Sequence, residues 1–245
     1  MLHFLKILFY DPIYNLFVFF IDFVPRHDVG ISIILVILLV RFLIAPISKK
    51  AYLTQLKTKA IQPKVEEIKK RFGANREEQA KKLVALYQEA EISFSSILLL
   101  PFVQLPILIS LYYIFAQSGL PLIKEESLYF FVSAPEKVNM LFLGLQNLSE
   151  KSIPFALIAG VVAYFQGTLL RGSMTPPSSG KPSFQHDLAR SMEINMRYVF
   201  PVMIAVFSYT SSAIALYFMV SGVFSYIQES LLRKKFSSPT LKTTL

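Results

Sequence analysis

Between Arg197 and Glu229 the chain runs for 31 residues without a charge. As one helix this stretch would be about 46 Å long, against a hydrocarbon core of about 30 Å. It is also short for two full spans and a turn. The segment Ser208-Tyr209-Thr210-Ser211-Ser212 supplies the turn, with a short apolar run on each side. Three other blocks have the same character. Residues 29–48 hold a single charge, Arg41, and residues 93–117 and 152–170 hold none. Each meets the roughly 20 apolar residues that a spanning helix needs. With 53% of 245 residues hydrophobic, the chain has more apolar surface than a soluble domain can hide.

Charge decides how these blocks are threaded. A net charge of +9 on a soluble protein would point to nucleic acid, but here the positions of the cations give it another meaning. Residues 49–92 carry 11 Lys/Arg, the segment 171–197 carries four, and the tail after Glu229 carries four more. Residues 1–28 and 118–151 carry two and three. By the positive-inside rule the basic segments face the cytoplasm. Both flanks of the 31-residue stretch are basic, so it must cross twice. The expectation is an all-α polytopic membrane protein of five transmembrane helices, at 29–48, 93–117, 152–170, 197–211 and 212–232. Its N-terminus lies outside and its C-terminus inside. Residues 118–151 form an outer loop, 171–196 a cytoplasmic loop and 233–245 a basic cytoplasmic tail.

Residues 49–92 are polar, but Leu53, Leu56, Ala60, Val65, Ile68 and Phe72 approach helical spacing. Gly73 can end that helix in a left-handed conformation. Asn75 with Glu78 reads as a capping box for a second helix, with Leu83, Leu86 and Tyr87 on one face. The pattern predicts a cytoplasmic helical hairpin. Residues 172–181, with Pro176-Pro177 and Ser178-Ser179-Gly180, read as linker.

The N-terminus has no signal-peptide cleavage pattern. Asp11-Pro12 reads as a helix start, Asp capping and Pro at the first helical position. The apolar run that follows is too short to span. Residues 1–28 are therefore expected to carry an amphipathic helix on the outer bilayer surface. The competing reading is a sixth span over 2–24, which would bury Lys6, Asp11 and Asp22.

Arg41 is the most informative residue. A central Arg costs about 2.5–3.5 kcal/mol on insertion scales. It either snorkels toward the headgroups near Lys49, or it faces a water-filled cavity open to the cytoplasm and attracts polar cargo. Gln104 and Gln166 could line that cavity or serve as helix–helix hydrogen bonds. Pro46, Pro101, Pro106 and Pro201 interrupt spans, either for packing alone or around a polar interior. Tyr217 and Phe218 lie mid-span.

Little points to covalent chemistry. Cys is absent, and His3, His27 and His186 are isolated. Gly167 to Ser173 lacks the Lys of a phosphate-binding loop. The apolar blocks hold no Asp or Glu, against an intramembrane protease or a proton-coupled pump. No enzyme, metal or cofactor is expected.

Several segments, in order, resemble the YidC/Oxa/Alb family of membrane protein insertases. They are Asp11-Pro12-Ile13-Tyr14-Asn15-Leu16, Asp28 to Ile34, Leu39 to Ser48 around Arg41, Ile61-Gln62-Pro63-Lys64, Ala85-Leu86-Tyr87 and Leu100 to Ile107. Phe142 to Leu145, Tyr164-Phe165-Gln166, Met196 to Pro201, Ala215-Leu216-Tyr217 and Ile227-Gln228 continue the set. The resemblance implies a five-helix bundle around a hydrophilic groove, in the bacterial plasma (inner) membrane. Arg41 matches the groove arginine, and Gln104, Gln166 and Tyr217 would line the groove or touch substrate. Nascent membrane proteins would be the clients, and the hairpin and tail would meet the ribosome or the Sec translocon. The chain departs from many members in showing no extra signal anchor or large periplasmic domain. Gly222 stands where an Asn is common. A small-molecule transporter or channel, or a ribosome-tethering scaffold, are the alternative readings; the paired interrupted helices of a transporter are not seen.

Overall fold

The computed structural model describes residues 6–73, 75–92, 94–117, 120–174 and 194–236. The greater part of the linker 172–181, and the tail beyond Phe236, lie outside the described residues.

Among the described residues seven α-helices carry the fold. The first, α1 (Asp11–Phe23), continues directly from a π-helical turn over Lys6–Tyr10, and Tyr10 is itself helical and makes no side-chain cap. Asp11 is thus an internal helical residue rather than the expected cap. Pro12 sits in the first turn, where its missing N–H costs least. Ile13, Tyr14, Phe17, Val18 and Ile21 recur at helical spacing and are buried, while Phe19 and Phe23 stack on each other at the surface.

After a tight turn with Arg26 and His27 at positive φ, Asp28 caps α2 (Val29–Arg71). Its Oδ1 accepts from Gly30 N (2.8 Å) and Ile31 N (3.1 Å). Sequence analysis separates a span ending near residue 48 from a hairpin beginning there; the structure has one helix of 43 residues through Pro46 and Pro63. That is about 65 Å, twice the thickness of a hydrocarbon core. Helix α2 closes on Phe72, and Gly73 does not take the expected left-handed conformation. The chain turns back into α3 (Arg76–Glu89), where Asn75 accepts from Glu78 N at 3.2 Å, the first half of the expected capping box. Leu86 is buried on the α2 side, and Lys57 pairs with Glu91 at 3.1 Å across the hairpin.

Helix α4 (Phe94–Tyr112) widens into a π turn over Tyr113–Gln117. The segment from Leu120 to Ser152 carries a 3-10 turn and an antiparallel ribbon, β1 (Leu141–Phe142) with β2 (Gln146–Asn147). Leu143 and Gly144, at φ 51° and 75°, make the left-handed turn that joins them; Gly144 needs no Cβ adjustment there. Helix α5 (Ile153–Met174) runs four residues beyond its expected end. Helix α6 (Phe200–Ser208) follows a π turn over Asn195–Val199. Pro201 offers no N–H to that preceding turn, and this is where the backbone leaves α geometry. The expected turn after Ser208 leads into α7 (Ser212–Phe236). Its start is held by Ser212 N to Glu150 O (2.9 Å) and Ala213 N to Leu148 O (3.1 Å).

By length and composition, α2 and α7 can each cross a membrane, and Gln104–Phe115, Ile153–Thr168 and Arg197–Ser208 are shorter apolar helical stretches. Two packed clusters join them. The larger unites α1, the first turns of α2, the end of α4 and Ala213, Leu216 and Tyr217 of α7. The smaller sets Ala159 and Ala163 of α5 against Ile204 of α6 and Ala215 of α7. Small residues allow that approach. A Cβ on Gly160 would lie 2.9 Å from Ala205 Cβ, and one on Gly222 would lie 2.5 Å from Val162 Cγ1. Gly222 therefore packs α7 onto α5, and a side chain of Asn size would not fit there without moving Val162.

Candidate functional site

Arg41 lies four turns into α2, on the face turned toward α4 and α7. Its neighbours one turn either way, Ile37 and Ile44, are buried. Helix α7 crosses here and presents Tyr217 and Ser221, which are four residues apart and so on one face. The Arg41 guanidinium donates to Ser221 Oγ. From α4, Gln104 Nε2 donates to the Tyr217 hydroxyl. Three helices thus place a cation, an amide, a phenol and a hydroxyl together in an apolar setting, where each hydrogen bond is worth more than in water.

The space between them is a pocket of about 10 Å³ lined by Ile37, Val40, Arg41, Ile44, Gln104, Ile107 and Tyr217. That is room for about one water. The sequence reading expects a water-filled cavity here; in the structure Ile37, Val40, Ile44 and Ile107 line the pocket beside the Gln104–Tyr217 bond. Among the described residues Arg41 meets no carboxylate, and Ser221 is its hydrogen-bond acceptor. A guanidinium has five N–H donors, so most of its bonding capacity is turned to the pocket.

Of the four residues expected at the site, Arg41, Gln104 and Tyr217 come together. Gln166 stands apart on α5, with its Oε1 3.4 Å from the place where a Gly222 Cβ would be. It belongs to the α5–α7 contact one residue along from Ser221. Ser221 itself was missed, although its i+4 spacing from Tyr217 was a usable signal.

Beyond Ile44, toward the C-terminal end of α2, a second α2–α7 contact follows. Gln228 Nε2 donates to Ala45 O at 3.2 Å. Two turns further along α2, Tyr52 is buried near Glu229 and Arg233 of α7. Burial pushes the Tyr52 phenol above its ordinary range, Arg233 pulls it back and Glu229 adds to the rise.

Relatives match over most of this chain. It is 27% identical over 213 residues to a membrane protein insertase YidC of Clostridium tetani, covering 86% of this chain and 84% of that one. It is 26% identical over 210 residues to a membrane protein insertase YidC of Buchnera aphidicola, covering 84% of this chain and 34% of the relative. A third, from Magnetococcus marinus, is 27% identical over 225 residues, 92% of this chain and 35% of that one. The chain thus spans about a third of the length of the two longer relatives. Residues 19–239 match the family described as 60Kd inner membrane protein, and the chain belongs to that family, the YidC/Oxa group of membrane proteins.

Proposed function

We propose that this chain is a membrane protein insertase and chaperone, and that the Arg41 pocket is where a polar segment of a client pauses on its way into the bilayer. The observation that carries this reading is a guanidinium inside an apolar bundle, bonded to one hydroxyl and facing no carboxylate among the described residues. Holding such a cation costs free energy, and an acidic or polar client segment recovers it by supplying acceptors. In the low dielectric of the pocket that attraction is stronger than in water.

In this reading five spans follow from α2 (its first 20 residues), α4, α5, α6 and α7, with α1 on the outer surface and the hairpin of α2 and α3 in the cytoplasm. The one-water pocket is the resting form. A client widens it by taking over the hydroxyls of Ser221 and Tyr217 and parting α7 from α2 and α4. Gln166, on the far side of Ser221, is then uncovered as a further contact. The stretch Arg197–Ser208 covers about 18 Å, short of a full core, so the bilayer beside it thins and less hydrocarbon remains to cross. The apolar part of the client then partitions into lipid, which releases it. The exposed basic face of the hairpin suits a ribosome, and the Sec translocon is a second docking partner. The reaction is physical; no bond is made or broken, and no cofactor enters.

The test is a photo-crosslinking probe at position 41 in cells that hold a stalled nascent chain of a small single-span client. The expected result is a crosslink to the client's polar segment. Crosslinks to lipid alone, with none to client at any stalling length, would sink the proposal. A scaffold that only tethers ribosomes predicts that outcome too, with client insertion surviving depletion of the protein.

A further inference from the structure

The segment between α4 and α5 presents apolar side chains where a soluble surface would not. Phe130 is 101% exposed at a turn closed by Val132 N to Tyr129 O. Leu145 is 85% exposed, and Leu143 beside it also points outward, at the tip of the β1–β2 ribbon. Burying such a side chain is worth about 1.5–3 kcal/mol, so a slack loop would fold them in.

Both tips are instead held out by buried polar groups of other elements. Asn15 of α1, 2% exposed, accepts from Tyr129 N (2.6 Å) and donates to Ser127 O (2.9 Å). Asp28, 5% exposed, accepts from Leu143 N (3.1 Å) while capping α2. Asn15 and Asp28 therefore spend scarce buried hydrogen-bonding capacity on fixing two turns with their apolar residues facing away from the protein.

We propose that these two tips are anchors that enter the outer leaflet of the bilayer, at the boundary between headgroups and acyl chains. The inference rests on the outer placement of residues 118–151 in the reading above. Lipid is the occupant for two reasons. The exposed row Ile153, Leu157 and Val161 on α5 begins eight residues after Leu145, and in the proposed five-span reading that apolar row faces lipid. Residues 120–152 also carry three Lys and four Glu, a near balance that offers a charged protein partner little field. Phe and Leu at turn tips, with Tyr129 beside them, suit an interfacial belt. The anchors set the depth at which α1 and the outer ends of α2 and α7 ride.

The chain has no Trp, so a single introduced indole reports its own surroundings. The full chain is reconstituted in vesicles of phosphatidylcholine and phosphatidylglycerol, as Phe130→Trp and, separately, Leu145→Trp. The expected result is blue-shifted emission that loses most of its intensity when the lipids carry bromine high on the acyl chain, with little response to aqueous acrylamide. Strong acrylamide quenching without bromolipid quenching would place the tips in water and overturn the proposal. Shielding from both quenchers would mean a protein cover, a second copy or a partner, and would overturn it as well. Leu157→Trp separates this from the reading it rests on. Quenching at Leu157 but not at the tips removes the anchor alone; no quenching at Leu157 removes the membrane placement of α5 and the anchor with it.

Discussion

Asp28 and Arg41 are two charged residues on one helix, about 20 Å apart, and they are treated in opposite ways. Asp28 is saturated. It accepts from Gly30 N, Ile31 N and Leu143 N, and so ties the start of α2 to the β ribbon. Arg41 donates to a single hydroxyl on α7 and otherwise faces a small pocket. A polar group whose bonds are all made inside the fold holds the fold together. One left with unused capacity in an apolar place stabilises nothing by staying there, and its bonds are available to something that arrives.

Substitutions at four positions would break or sharpen that contrast. The largest effect is expected at the saturated residue. Asp28→Ala removes a helix cap worth about 1 kcal/mol and strands the Leu143 N–H, for a loss of about 2–4 kcal/mol. Asp28→Asn keeps a capping oxygen and should recover most of it. Denaturant unfolding in detergent micelles measures both; if Asp28→Ala leaves the midpoint in place, the clamp is not what holds the ribbon.

Arg41→Ala should do the reverse. The folded protein loses no saturated bond and sheds an expensive charge, so its midpoint stays level or rises. Insertion of a client with an acidic tail should fall by roughly 10- to 150-fold, the equivalent of the 1.5–3 kcal/mol of a hydrogen bond to a charged group. Arg41→Lys keeps the charge without the fork and should lie between. Equal insertion by all three proteins would end the electrostatic account.

Tyr217→Phe takes the acceptor from Gln104 and should cost about 1 kcal/mol of stability. In the proposed scheme it also loosens the resting pocket, so client crosslinking from position 41 should begin at shorter nascent chains. A midpoint drop of Asp28→Ala size would mean that the Gln104–Tyr217 bond is structural rather than a closure.

The smallest effect is at Tyr52, one further polar residue along α2. Its phenol is pushed up chiefly by burial. The neutral form is the one the fold prefers, so the stabilisation is complete below the unfolded value of about 10 and fades as pH rises through the higher folded value. Tyr52→Phe should therefore lose less stability than the unaltered protein as pH rises above about 10, a difference read from paired unfolding curves. Parallel curves would show that Tyr52 does not titrate with folding.

Helix positions and the candidacy of Arg41 are legible in the sequence because both follow from local pattern, whereas the placing of Gln104 and Tyr217 beside it comes only from the family resemblance. Apolar length marks a helix, and a charge within it marks a site. What was not legible depends on residues far apart in the chain. Asn15 sits in an otherwise apolar helix, and nothing near it in sequence announces its partners, Ser127 and Tyr129. Gly222 looked like a missing Asn, and only the approach of Val162 explains it. Gln166 resembles Gln104 in sequence, but it meets Gly222 of α7 rather than lining the Arg41 pocket. The break between span and hairpin was drawn where polarity changes, near residue 48, while the backbone of α2 ignores that change. Pro46 removes one bond without ending the helix.

That unbroken backbone makes α2 a lever. The stretch from Arg41 to Arg71 is about 45 Å of continuous helix, so a swing of some five degrees at the pocket corresponds to a sweep of about 4 Å at the far end. A body that leans on the hairpin would move the guanidinium with it, and Pro46, one turn beyond Arg41, is the place where the rod can flex and blunt the stroke.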